Sequence, residues 1–106
     1  MARKENQRIA LTKKLLQEGL LRLLETKRLD KISVTELCRE AGINRATFYN
    51  HYDSPQGLLT ELEQKMKQDL NSMIRKPLSK ENMVRQLEDV CIYLKEHKNI
   101  LRVLIQ

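Results

Sequence analysis

Ser33-Val34-Thr35-Glu36-Leu37-Cys38-Arg39-Glu40-Ala41-Gly42-Ile43 and Asn44-Arg45-Ala46-Thr47-Phe48-Tyr49-Asn50-His51 read as two short helices written back to back. Ser33, three residues before Glu36, has the spacing of a capping box, in which each side chain satisfies a free backbone N–H at the helix start. Gly42 is the residue best suited to the left-handed position that closes a helix. Asn44 follows only two residues later as a second N-cap and opens a helix over 45–51. Two short helices across a glycine-containing turn, placed after a longer helix, make a helix-turn-helix. Leu37, Ala41, Ile43 and Phe48 supply the apolar contacts that hold the helix angle. Cys38, one turn before Gly42, is expected where the two helices cross and only a small side chain fits.

Working outward, the spacing is helical almost everywhere. Upstream, Ile9, Leu16, Leu20, Leu23 and Leu24 share one face of a helix over 8–26, and Leu29-Asp30-Lys31 is a connection. Downstream, Ser54-Pro55 starts a long helix, with serine as cap and proline at the first helical position. Its stripe is Leu59, Leu62, Met66, Leu70 and Met73, and Lys76-Pro77 breaks it near Arg75. Ser79 caps a fifth helix whose expected inner face is Met83, Leu87, Val90, Cys91 and Leu94, with His97 near its end as a partner for the helix dipole. The methionines are core filler. The run Ile100, Leu101, Val103, Leu104 and Ile105 is apolar on nearly every side, and such a helix needs cover. With 3 Gly and 2 Pro in 106 residues, the turn chemistry of a sandwich or barrel is missing. The expected class is all-α: a three-helix bundle with a helix-turn-helix over residues 1–53. A long connecting helix and the start of a helical C-terminal ligand-binding or dimerisation domain then fill 54–106.

Charge narrows the partner. The chain carries a formal +6, and residues 1–52 hold 11 Lys and Arg against 6 Asp and Glu. A basic first half suits an anionic polymer. No stretch is apolar for the ~20 residues of a membrane span, and no apolar segment follows the N-terminal charges as in a secretory signal. A basic first helix lying on a membrane is excluded too, because its apolar face is needed for the core. Cys38 and Cys91 are expected as free thiols in a cytoplasmic protein. No nucleophile pair, phosphate-binding glycine loop or convergent metal-ligand set can be assembled, so the chain is expected to be no enzyme and to use no cofactor or metal.

At 100° per residue, with Phe48 inward, Ala46 and Asn50 point almost directly away from the core. Thr47 and Tyr49 flank them, and Arg45 and His51 lie nearer the sides. That face can read a groove: Asn bonds adenine in a bidentate manner, Arg does so with guanine, and Ala or Thr touches a thymine methyl. Tyr and His at its edges suit phosphate oxygens. A merely solvated helix accounts poorly for an exposed tyrosine.

The run from Ile32 to Tyr52, with Ala41-Gly42, the cap Asn44, Thr47-Phe48-Tyr49-Asn50-His51-Tyr52 and the following Leu58-Leu59, closely resembles the N-terminal domain of the TetR family of bacterial transcriptional regulators. The match covers residues 8–60. The resemblance implies a DNA-binding domain, a homodimer on a palindromic operator, and a larger C-terminal domain that binds a small effector, the pattern of a repressor. It also implies base-reading roles for Arg45, Ala46 and Asn50, and phosphate contacts from Thr35, Thr47, Tyr49 and His51. Pro55 stands where the family often has a lysine, which removes one phosphate contact, and Ala46, Cys38 and Val34 are small departures. The residues after the motif are too few for the family's effector pocket and dimer face. That leaves the apolar run from Ile100 to be covered by further chain or by another copy. The rival reading is a helical interaction module that docks a protein through the same motif. Pro55 favours it, while the basic first half, Arg45 and Asn50 favour DNA.

Overall fold

A computed structural model describes residues 2–75 and 79–105, and every regular element among them is helical. The order is α1 (Ala2–Leu24), a single 3₁₀ turn (Leu29–Lys31), α2 (Val34–Ala41), α3 (Arg45–Tyr49), α4 (Pro55–Ile74), α5 (Lys80–Glu96) and α6 (Lys98–Ile105). The chain divides into two compact units, Met1–Leu62 and Glu63–Gln106, with α4 continuing from one into the other. Among the described residues no helix is long and apolar enough to cross a membrane.

In the first unit, α1 and α2 run antiparallel, and their spacing is set by Gly19. A Cβ built on Gly19 would lie 3.2 Å from Ala41 Cβ and 3.3 Å from Ala41 Cα and N, closer than side chains ordinarily pack. The surface of this crossing is laced by charge. Arg22 Nε donates to Glu40 Oε1 at 2.8 Å, its Nη2 donates to the Glu40 carbonyl at 3.1 Å, and Lys27 pairs with Glu36. Beneath these pairs Leu16, Leu20, Leu37, Phe48 and Leu58 are fully buried, with Ile32, Cys38, Ala41 and Tyr52 around them. At ~1.5–3 kcal/mol for each large apolar side chain, this cluster outweighs exposed ion pairs worth ~0–1 kcal/mol each.

The local signals act largely as read. Ser33 Oγ accepts from Glu36 N at 3.0 Å, Asn44 Oδ1 from Thr47 N at 2.8 Å, Ser54 Oγ from Gly57 N at 3.2 Å and Ser79 Oγ from Asn82 N at 3.2 Å. Gly42 has φ 71° and ψ 31°, and its N–H and that of Ile43 both reach the Cys38 carbonyl. The capping box is only half made, because the Glu36 carboxylate turns to Lys27 rather than back to Ser33.

Four expectations are corrected. The first helix begins at Ala2 rather than Arg8, and Ile9 is 41% exposed: its periodicity runs on past the stretch of α1 that has a partner, and Leu11 is exposed as well. The third helix closes at Tyr49, not His51, because Asn50, His51 and Tyr52 turn their N–H groups to the carbonyls of Ala46, Thr47 and Phe48. On α5, Met83, Leu87 and Cys91 are exposed. Val90 and Leu94 are half-buried as expected, but Gln86, Tyr93 and His97 complete the inner face, which lies roughly 60° around the helix from the expected one at 100° per residue. Polar bonds fix that face: Tyr93 Oη donates to Asp69 Oδ2 at 2.9 Å, and Gln86 Nε2 donates to the Met73 carbonyl. In the final run Ile100 is buried and Leu101 and Val103 are half-buried. The side chains of Leu104 and Ile105, and the break expected at Lys76-Pro77, lie outside the described residues.

Candidate nucleic-acid interface

Phe48 is the pivot of the candidate surface. It is fully buried, and with five residues in α3 its insertion fixes which side chains remain outside. Its ring meets Tyr49 edge-on at 5.5 Å and Tyr52 at 5.7 Å with a tilt of 44°. Tyr52 is buried and prolongs the anchor, while Tyr49 is 49% exposed. The aromatic pair thus has one ring in the core and one presented to solvent with its position held by the first.

Around that pivot, Arg45, Ala46, Tyr49 and Asn50 are exposed, and Thr47 and His51 are half-buried. All six sit within two turns of chain. Asn50 carries φ −67° and ψ −22°, and its backbone N–H is bound to the carbonyls of Ala46 and Thr47 at 3.2 Å, so its side-chain amide projects from a fixed backbone. Thr35 is exposed on the first turn of α2, a different helix from the rest. Pro55 is buried at the first position of α4, where its missing N–H costs nothing.

The surface offers a guanidinium, a carboxamide and a methyl group in the middle, with a phenol and an imidazole at the edges. Burial pushes the Cys38 thiol above its ordinary range, and the nearby Arg45 charge only partly opposes this. Cys38 is therefore a protonated, buried thiol at the foot of the turn, in keeping with a packing role rather than a reactive one. Among the described residues no group of three His, Cys, Asp or Glu converges as a metal site.

Sequence reading missed the residues that hold this surface from behind. Lys13 Nζ on α1 lies 3.0 Å from Glu61 Oε1 on α4 and 5.7 Å from the centroid of the Tyr52 ring. Tyr52 Oη and Glu61 Oε2 are both buried without a hydrogen-bond partner among the described residues. Burial, and then the Glu61 carboxylate, push the Tyr52 phenol well above the tyrosine range. Burial also pushes Glu61 up, but Tyr52, Lys13 and the charge of His51 outweigh it and hold the carboxyl below its usual value. Lys13 and Glu61 are 48 positions apart, and no local pattern links them.

Comparison with known proteins falls on the same stretch. The family model described as bacterial regulatory proteins, tetR family, matches residues 17–62, from the α1 face that packs on α2 to the first turns of α4. Over that segment the chain is similar to the TetR family. One relative, the HTH-type transcriptional regulator EthR of Mycolicibacterium smegmatis (strain ATCC 700084 / mc(2)155), is 49% identical over 41 residues. That stretch is 39% of this chain and 19% of the relative, so the chain spans about a fifth of the length of the regulator it matches. The matched segment contains the whole helix-turn-helix together with Tyr52 and Glu61, while Lys13 lies just outside it.

Proposed function

We propose that this chain is the DNA-binding part of a cytoplasmic transcriptional repressor, a binding protein rather than an enzyme, that reads a palindromic operator through the 45–51 segment. The observation that carries the reading is the exposure of Arg45, Ala46 and Tyr49 on one short helix, and of Asn50 at its C-cap, while Phe48 on the opposite side is fully buried. Arg45, Ala46 and Asn50 read base edges. Thr35, Thr47, Tyr49 and His51 hold phosphates and set the register. Residues 1–53 form the DNA-binding domain, and 54–106 form the connecting helix and the beginning of a helical ligand-binding and dimerisation domain. Supporting this second part, α5 exposes Met83, Val84 and Leu87 on one side, an apolar face that suits a covered position. Two copies on half-sites related by two-fold symmetry supply the affinity that one helix-turn-helix lacks, and a small molecule bound by the C-terminal domain releases the operator.

The test is binding to mixed-sequence duplex over a range of salt. Counterion release makes affinity fall steeply as salt rises. The rival, docking of a protein partner by the same helices, draws on Pro55 in place of a cationic phosphate contact. Absence of duplex binding at low salt would favour that rival.

A further inference from the structure

Lys13, Tyr52 and Glu61 come from α1, from the turn that follows α3, and from α4. Tyr52 is the third residue after Tyr49, the last of α3, and its ring also touches Phe48 and His51, at 5.7 and 6.3 Å. Any movement of Tyr52 therefore moves the C-terminal end of the candidate reading helix. That helix has only five residues, too few to hold its own direction in isolation.

A core needing only apolar contact would place phenylalanine at this position. Instead a hydroxyl is buried here, and both Tyr52 Oη and Glu61 Oε2 are buried with no hydrogen-bond partner among the described residues. The carboxylate's other oxygen is tied to Lys13, which also stands over the Tyr52 ring. The ring thus has a cation over its face, and that cation is itself held by the Glu61 carboxylate. Such directional contacts specify an orientation where packing alone tolerates several.

We propose that Lys13, Tyr52 and Glu61 are positioning residues for DNA binding, a clasp between α1 and α4 that fixes the angle at which α3 presents Arg45, Ala46 and Asn50. The proposal rests on the DNA-binding reading above. None of the three is required to touch the duplex.

The test compares the full chain with Tyr52→Phe, Glu61→Gln, Lys13→Met and the double variant Tyr52→Phe/Glu61→Gln. Each is titrated with a fluorescein-labelled mixed-sequence duplex at low salt, at a temperature where circular dichroism shows unchanged helix content. Tyr52→Phe keeps the ring and its packing, so it carries the test if Glu61→Gln does not fold. The expected result is duplex binding weakened about five- to tenfold in each single variant, with the double variant no weaker than the worse single one, because neighbours in one network do not add. A purely structural role would lower the melting temperature and leave the affinity of the folded variants unchanged, which overturns the proposal. Equal binding by all variants overturns it as well. If the parent chain itself binds no duplex, the DNA-binding reading fails and takes the clasp with it, an outcome distinct from the other two.

Discussion

Three glycines occupy three different environments, and replacing each by alanine separates the forces that shape the first unit. At Gly19 the added methyl meets Ala41 Cβ at 3.2 Å and the Ala41 backbone at 3.3 Å, so α2 must give way by a few tenths of an ångström. Overpacking of this kind costs ~1–3 kcal/mol. Against it stands a helix-propensity gain of ~1 kcal/mol on replacing an interior glycine by alanine. The net expectation for Gly19→Ala is a loss between zero and ~2 kcal/mol. At Gly57 the nearest atom to the added Cβ is Ser54 Oγ at 3.8 Å, ordinary contact distance, so only the propensity gain remains. Gly57→Ala should stabilise by up to ~1 kcal/mol, less where the first turn frays. At Gly42 there is open space, but φ is +71°. Gly42→Ala should lose ~1–2 kcal/mol to the left-handed conformation alone. Urea unfolding followed by far-ultraviolet circular dichroism measures all three, read through midpoints at constant m-value. Equal stabilisation by Gly19→Ala and Gly57→Ala would show that α1 and α2 do not cross at Gly19.

Other perturbations follow the same logic. Phe48→Ala should cost ~3–5 kcal/mol and abolish duplex binding together with the fold, as thermal unfolding and a binding assay on the same sample would show. Cys38→Leu should overpack the foot of the turn at ~1–3 kcal/mol, whereas Cys38→Ala should cost less and leave duplex binding insensitive to oxidants and zinc. In the second unit, burial and the Asp69 hydrogen bond push the Tyr93 phenol from its ordinary 10.0 up to about 12. A folded-state value raised in this way contributes stability that is complete below pH 10 and lost as pH rises through about 12. Melting temperature should therefore fall across that interval, and Tyr93→Phe should flatten the fall.

What was legible in the sequence is what short-range chemistry writes. Ser33, Asn44, Ser54 and Ser79 announce helix starts because a side-chain oxygen can reach a backbone N–H three positions on, and Gly42 announces a stop because few residues adopt positive φ. The outward face of α3 followed from one assignment, Phe48 inward, which the burial of that ring matches. The misreadings arose where a choice depended on distant partners. Glu36 had the spacing to bond back to Ser33, but Lys27 competes for its carboxylate. On α5 the apolar positions Met83, Leu87 and Cys91 looked like part of a core face, while Tyr93 and Gln86, with polar groups to satisfy, took the inner side. Gly19 as the crossing point, and Glu61 as the partner of Lys13 and Tyr52, depend on which helix faces which, and no periodicity carries that information.

The central claim is that the outward face of α3 reads DNA, with Asn50 on bases and Tyr49 on the backbone. Selection of preferred duplexes from a random-sequence pool, carried out in parallel with the parent chain, Asn50→Ala and Tyr49→Phe, tests it most directly. Asn50→Ala should lose ~1–3 kcal/mol on the parent's preferred site and relax the preference at one base pair of each half-site. Tyr49→Phe should weaken all duplexes alike and select the same site as the parent, since a phosphate contact carries no sequence information. An Asn50→Ala chain that selects the parent's site with undiminished preference would contradict the account.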